Sequence, residues 1–153
     1  MKHYRNLQPT KRIAIVGDDH KEADLIEWAY FNRHVLMQHE LVATGKGANI
    51  LEGTVRKPVS KLPGEPLGGY RKLGSMIMEG MIDMIIFFSD AEAPMSNNTS
   101  MKRLINIAIT HNIIIAINRP TADFLLSSVL MNDDYSIHVP HANTTITSNE
   151  TIF

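Results

Sequence analysis

Residues 12–20, with the sequence RIAIVGDDH, hold the pattern that decides the fold of this chain. Four consecutive apolar side chains lead to a glycine, two acidic residues and a histidine. A short apolar run that ends in turn residues is typical of a strand buried on both faces of a parallel sheet. In such sheets, ligands bind beyond the carboxyl ends of the strands. We therefore predict a strand over residues 12–16 and a candidate ligand site at Gly17, Asp18, Asp19 and His20.

The rest of the chain repeats this unit, because short apolar runs alternate with longer amphipathic stretches. The further predicted strands lie over residues 41–43, 55–60, 84–88 and 113–117, with an edge strand over 136–139. Helical spacing of apolar residues predicts helices over residues 21–33, 48–53, 68–79, 101–111 and 121–127. This alternation predicts a single Rossmann-like α/β domain, in which helices cover both faces of a parallel sheet.

The composition indicates one globular domain over residues 1–153, with a polar tail over 140–153. The 153 residues are 44% hydrophobic and 20% charged, which is enough to bury a core. A formal net charge of -1 gives no field that would attract nucleic acid or an anionic membrane. The absence of cysteine excludes thiolate catalysis and cysteine-bound zinc. No apolar run approaches the roughly 20 residues of a membrane span, so we expect a cytoplasmic protein.

Two glycine-rich loops are candidate phosphate sites. Glycines at the start of a helix let backbone N–H groups converge on an anion, and a hydroxyl and an ammonium group strengthen such a site. An arginine close to paired glycines could clamp the same anion. Each loop could instead be an ordinary turn with a solvated cation. The candidate residues are Thr44, Gly45, Lys46, Gly47 and Ala48 in the first loop, and Pro66, Gly68, Gly69, Tyr70 and Arg71 in the second.

Carboxylates follow two of the predicted strands. Asp18 and Asp19 follow the first strand, and Asp90 follows the strand over residues 84–88. If these strands are neighbours, Asp19 and Asp90 lie close together and could serve in acid–base catalysis or hold magnesium. Helix capping is the simpler role for Asp18 or Asp19. The other histidines have no metal-ligand spacing, and we predict neither a bound metal nor a cofactor.

These loops are similar to those of the methylglyoxal synthase family over about residues 11–139. The resemblance is carried by RIAIVGDDH at 12–20, ATGKGAN at 43–49, IDMIIFFSD at 82–90, Asn118, and TADF at 121–124. It implies a five-stranded parallel sheet and a homohexamer. It also implies conversion of dihydroxyacetone phosphate to methylglyoxal and phosphate, in which a carboxylate removes a proton and the enediol expels phosphate.

The chain departs from the family at most positions that carry this chemistry. The family's catalytic aspartate in its Gly-Gly-Asp motif is Tyr70 here, and its phosphate-binding lysine aligns with Glu22. A tyrosine titrates near pKa ~10, so Tyr70 is a poor base at neutral pH. Asp19 and Asp90 are kept. The family's histidine and two further catalytic-loop positions are replaced by Asp18, Asn97 and Ser100.

These substitutions favour a non-catalytic protein that binds or sequesters a phosphorylated small molecule, such as a nucleotide or a nucleotide-derived signal. Asn97 then belongs to the ligand-binding residues, Tyr70 offers a ring on which a base stacks, and Arg71 adds a cationic plane. The alternative is an active methylglyoxal synthase with a rebuilt site, in which Asp18 or Asp19 is the base and Asp90 supports it. Metal-assisted phosphate chemistry on these carboxylates and a structural oligomer also remain open.

Overall fold

The computed structural model of the chain describes residues 3–17, 21–64, 68–88 and 99–139. Its strands are β1 His3–Leu7, β2 Arg12–Gly17, β3 Glu40–Thr44, β4 Ser60–Leu62, β5 Met84–Phe88, β6 Ile114–Ala116 and β7 Tyr135–Val139. Its helices are α1 Glu22–Phe31, α2 Arg33–Leu36, α3 Lys46–Val55, α4 Gly69–Met78, α5 Thr99–Thr110 and α6 Arg119–Leu126, and a 3₁₀ turn spans Val129–Asn132. Within these ranges, no helix has both the length and the apolar character needed to span a membrane.

Five of the strands form one parallel sheet in the order β4-β3-β2-β5-β6. Strand β2, which was predicted over residues 12–16, lies at the centre of this sheet. Side chains alternate along β2, so that Ile13 and Ile15 face one apolar cluster while Ala14 and Val16 face the other. The predicted fold class is therefore confirmed, and helices cover both faces of the sheet.

Each face of the sheet is covered by its own set of helices. Helices α1, α3 and α6 contribute Trp28, Leu51 and Ala122 to the cluster that contains Ile13. Helices α4 and α5 contribute Leu73 and Leu104 to the other cluster. The central strands of the sheet are buried on both faces. Polar groups can therefore collect at the ends of these strands.

The predicted strand over residues 55–60 is wrong in position. Leu51 and Val55 are four residues apart and both buried, so the apolar face of α3 continues through Val55. The chain then turns at Arg56, which has a left-handed φ of 62°, and β4 begins only at Ser60. Glu52 fixes this connection by accepting a hydrogen bond of 3.0 Å from the backbone N–H of Val59.

The predicted strand over residues 136–139 is present as β7, but it does not extend the large sheet. It pairs antiparallel with β1, a strand that the sequence did not predict, and His3 lies opposite Val139. Strand β1 was not predicted because its sequence is mostly polar and only Leu7 is buried. The two strands form a separate ribbon.

A buried carboxylate joins this ribbon to the amino edge of the sheet. Asp83 lies just before β5 and accepts hydrogen bonds from Nη1 of Arg5 at 2.7 Å and from the backbone N–H of Arg12 at 2.7 Å. Nη2 of Arg12 adds a further bond of 3.0 Å. Burial alone would raise the pKa of the Asp83 carboxyl, but the bonds from Arg12 and Arg5 outweigh it and hold that pKa below its usual range.

Candidate functional site

The first glycine-rich loop connects the carboxyl end of β3 to the start of α3. Thr44 ends the strand and is buried, and Gly45 has a φ of 62°, which glycine adopts without strain. The N–H of Gly45 donates to the carbonyl oxygen of Leu62 at 2.9 Å, which ties the loop to β4. Helix α3 begins at Lys46, an exposed residue, and among the described residues no side chain caps this helix. The first turn of α3 therefore offers backbone donors to a ligand.

The second glycine-rich loop packs directly against the first. A Cβ atom on Gly64 would lie 3.3 Å from Cα of Gly45, so the two backbones pass each other in close contact. A Cβ atom on Gly69 would overlap the carbonyl oxygen of Pro63 and would lie 3.2 Å from Cγ2 of Thr44. Glycine at position 69 is a steric requirement of the contact between the loops, and Gly64 allows their backbones to approach closely. The structure thus joins two motifs that the sequence presents separately.

This contact brings the amino ends of two helices to one edge of the sheet. Helix α4 begins at Gly69 after Gly68, which has a φ of 95°, and no described side chain caps it either. The positive ends of two helix dipoles, together with exposed Lys46 and Arg71, favour an anion at this edge. The arrangement is chemically suited to a phosphate group.

The position of Tyr70 in the structure does not fit its predicted role as a surface on which a base stacks. Its side chain is 7% exposed and belongs to the apolar cluster that includes Val42 and Phe87. The reason is the apolar stripe of α4, in which Tyr70, Leu73 and Ile77 repeat at helical spacing and pack on the sheet. A ring covered in this way leaves little surface for a nucleotide base, so the stacking interpretation does not fit the structure.

The strands that precede the candidate carboxylates are neighbours, as the sequence argument requires. Strand β2 pairs with β5, and Gly17 lies opposite Phe88 at their carboxyl ends. A Cβ atom on Gly17 would lie 3.5 Å from Cβ of Phe88, an ordinary contact.

The predicted site residues Asp18, Asp19, His20, Pro66, Asp90 and Asn97 lie outside the described residues. Within the described ranges, no cluster of three His, Asp or Glu side chains could hold a metal ion.

A hydrogen bond from a buried tryptophan supports the same edge, and this contact was not predicted from the sequence. Nε1 of Trp28 donates to Oδ1 of Asp123 at 3.0 Å, and Nδ2 of Asn32 donates to the same oxygen at 3.3 Å. The Trp28 ring meets Phe88 edge-on, with 5.0 Å between ring centroids. Asn118 caps α6 by accepting from the N–H of Thr121 at 2.9 Å. A buried indole needs an acceptor, and that requirement is the signal that could have directed the search to Asp123.

Fold and loops together define an α/β protein with a candidate phosphate site at the carboxyl edge of its parallel sheet. The family described as the MGS-like domain matches residues 24–117. A methylglyoxal synthase of Yersinia enterocolitica is 38% identical over 137 residues, which cover 90% of this chain and 90% of that protein. A methylglyoxal synthase of Pectobacterium atrosepticum is 36% identical over 136 residues, covering 89% and 90%. The crystal structure of methylglyoxal synthase from Elizabethkingia anophelis superposes with a TM-score of 0.83 at 35% identity, over 97% of each chain. The chain therefore belongs to the MGS-like family.

These matches show that the main interpretation drawn from the sequence, a non-catalytic protein that sequesters a phosphorylated ligand, is wrong. Relatives that align over about nine-tenths of both chains are named for a catalytic activity, and they favour the alternative of an active synthase. The error lies in concluding from the joint substitutions at Tyr70, Glu22 and Asp18 that catalysis is lost. Loss of one base implies loss of catalysis only when no other carboxylate can replace it, and Asp18 and Asp19 directly follow β2 in the sequence. The homohexamer and the cytoplasmic location stay predictions.

Proposed function

We propose that this chain is a methylglyoxal synthase, a lyase that converts dihydroxyacetone phosphate to methylglyoxal and inorganic phosphate. The observation that carries the proposal is the similarity to methylglyoxal synthases over almost the whole chain, including a solved structure at a TM-score of 0.83. The close contact between the two glycine-rich loops supports it, because it provides backbone donors for the phosphate of the substrate.

The phosphate group is held at the amino ends of α3 and α4 in this proposal. Lys46, in the first turn of α3, supplies the positive charge that Glu22 cannot supply at the position of the family's lysine. Arg71, in the first turn of α4, adds a second cation. The phosphate leaves with the electron pair of the broken C–O bond, so cations at this edge stabilise the charge that develops on it.

Proton removal is assigned to Asp19 or Asp18, with Asp90 as the supporting carboxylate. The pairing of Gly17 with Phe88 supports this assignment, because the chain segments that carry these residues leave adjacent strands. The carboxylate takes a proton from the hydroxymethyl carbon, and the enediol then expels phosphate. Protonation of the resulting enol gives the methyl ketone of methylglyoxal. A second carboxylate nearby would raise the pKa of the first toward the range of a general base.

The first experiment measures methylglyoxal and phosphate release from dihydroxyacetone phosphate by the purified protein. We expect turnover in the wild type and a loss of about 10²–10⁴ in kcat for Asp19→Asn or Asp18→Asn, the usual cost of removing a positioned base. Asp24→Asn is the matched control, because Asp24 is an exposed carboxylate on α1. A wild-type protein that folds but releases no methylglyoxal would refute the proposed function.

A second measurement tests the phosphate site separately. Lys46→Ala should raise KM for dihydroxyacetone phosphate by about tenfold or more, since a charge-assisted hydrogen bond contributes about 1.5–3 kcal/mol. Lys102→Ala, at an exposed lysine of α5, is expected to leave KM unchanged. Equal kinetic constants for Lys46→Ala and the wild type would remove Lys46 from the site.

A further inference from the structure

A cavity of about 200 Å³ opens at the amino edge of the sheet, away from the glycine-rich loops. Met84 and Ile114, the first residues of β5 and β6, lie on its walls. Leu7 and Met131 are buried and form its floor. At the rim, Leu130 is 46% exposed and Tyr135 is 43% exposed. The cavity is therefore lined mainly by apolar side chains, and Leu130 and Tyr135 are its partly exposed members.

One charged side chain lines this cavity. Lys11 is 2% exposed, an unusual burial for lysine. Its Nζ donates to the carbonyl oxygens of Gln8 at 2.5 Å and of Asp133 at 2.6 Å. An ammonium group carries three N–H donors, and no other acceptor for it is found in the described part of the chain. One N–H of this ammonium is thus without an acceptor among the described residues.

Burial and three carboxylates act on this ammonium in opposite directions. Burial lowers the pKa of Lys11 from its ordinary value of 10.5, and attraction to Asp83, Asp134 and Asp133 opposes that change only in part. Asp83 is already bound to two arginines, and Asp134 accepts a hydrogen bond from Asn6 at 3.0 Å. An anion next to Nζ would be attracted to the ammonium in a region of low dielectric constant, where interactions between charges are stronger than in water.

We propose that this cavity, with the Lys11 ammonium as its anchor, is a binding site for a small carboxylate with an apolar body. The carboxylate accepts the third N–H of Nζ, and the body of the ligand lies against Leu7, Met84 and Met131. An engineered apolar cavity of about 150 Å³ accommodates benzene. A space of about 200 Å³ therefore fits a molecule of the size of benzoate. The site is separate from the proposed catalytic edge, since the cavity lies at the opposite ends of the strands.

The test measures the melting temperature of the full chain with benzoate at increasing millimolar concentrations. A ligand that binds only the native state raises the melting temperature in a saturable way. Benzyl alcohol, which has the same ring but no charge, is the matched ligand. We expect benzoate to bind at least about tenfold more tightly than benzyl alcohol, because a charge-assisted hydrogen bond is worth more than a neutral one. Equal binding of the two ligands, or no saturable shift with benzoate, would overturn the proposal.

Two variants locate the binding site. Lys11→Met keeps an apolar side chain of similar length, so it should abolish the preference for benzoate. Lys57→Met is the matched control, because Nζ of Lys57 also donates to backbone carbonyls but that residue is not part of the cavity. If Lys11→Met fails to fold, Leu130→Trp at the rim gives the decision, since the larger ring should exclude both ligands. Full binding of benzoate by Leu130→Trp would contradict this location of the site.

Discussion

The two edges of the parallel sheet are built from different chemistry. At the amino edge, polar groups are buried side chains: the Asp83 carboxylate bound to Arg5 and Arg12, and the Lys11 ammonium bound to two carbonyls. At the carboxyl edge, the two glycine-rich loops present backbone atoms and exposed cations. The amino edge relies mainly on buried side chains that bind within the protein, whereas the carboxyl edge presents backbone donors to a ligand.

The difference shows how this fold separates stability from function. A buried carboxylate with several partners fixes the β1–β7 ribbon to the sheet, and its removal leaves those partners without their acceptor. The glycine contacts hold two helix ends close together without side chains that would fill the space between them. Substitutions at each edge test this division.

Asp83→Ala should destabilise the protein by about 3–5 kcal/mol, because it leaves two guanidinium groups and the Arg12 backbone N–H without their acceptor. Denaturant unfolding measures this loss. Asp24→Ala removes an exposed carboxylate that lies 3.5 Å from Lys21, and it should cost less than about 1 kcal/mol. If the two variants lose similar amounts of unfolding free energy, the buried ion pairs of Asp83 stabilise the protein no more than an exposed ion pair does.

Gly69→Ala should cost about 1–3 kcal/mol or more and should also lower activity, because the new Cβ overlaps the Pro63 carbonyl and separates the two loops. Unfolding by denaturant and the methylglyoxal assay measure the two effects. Gly53→Ala is the matched control: Gly53 lies inside α3 with no atom within 4 Å of its added Cβ. That control should gain about 0.5–1 kcal/mol from helix propensity. Full activity in Gly69→Ala would show that the close contact of the loops is dispensable.

Acidification should weaken the amino edge through His39. Its Nδ1 accepts from the N–H of Lys11 at 2.9 Å, and its Nε2 has no partner among the described residues. Burial, and then the charges of Lys11 and Lys57, lower the pKa of His39 below its ordinary value of 6.5. Below that value the unfolded chain binds a proton that the native protein does not bind. The free energy of unfolding should therefore fall as the pH decreases through 6.5.

The variant His39→Gln separates this effect from other titrations, because an amide oxygen can still accept from Lys11 but does not titrate. We expect the variant to lose part of the pH dependence seen by denaturant unfolding in the wild type. His34→Gln, at an exposed histidine, should keep the full dependence. Identical pH profiles for the wild type and His39→Gln would exclude His39 as the source.

Asn118→Ala should have the smallest effect, about 1 kcal/mol, since it removes the side chain that caps α6. Asn118→Ser keeps a capping oxygen and should recover most of the loss. Thermal unfolding compares the two variants with the wild type. An equal loss in both would place the role of Asn118 outside helix capping.

Strong local patterns made most of the sheet predictable. Strand β5 was predicted with its observed bounds, Met84–Phe88, because five apolar residues in succession fit a strand buried on both faces. Strand β1 was not predictable in this way, since its stability comes from pairing with β7 more than one hundred residues away. The position of β4 was missed because the apolar stripe of α3 extends into the segment that resembled a strand.

Only part of the candidate site could be predicted, because some of its contacts join residues that are far apart in the sequence. Gly45, Gly68 and Gly69 were predicted as candidate residues because glycine suits turns at the start of a helix, and Thr44 was predicted because its hydroxyl suits a phosphate. The burial of Tyr70 depends on where α4 packs, and the contact of Trp28 with Asp123 joins residues 95 positions apart. Neither follows from the residues next to them in sequence.

By itself, the sequence determined the α/β class, the two glycine-rich loops and the resemblance to the methylglyoxal synthase family. These features depend on hydrophobic periodicity and on the backbone freedom of glycine, which are properties of neighbouring residues. The tertiary structure decided which loops touch, which aromatic ring is buried and where a lysine becomes enclosed beside a cavity. Such outcomes depend on the order of the strands and on the packing of helices across the sheet, and that order brings together residues that no local pattern connects.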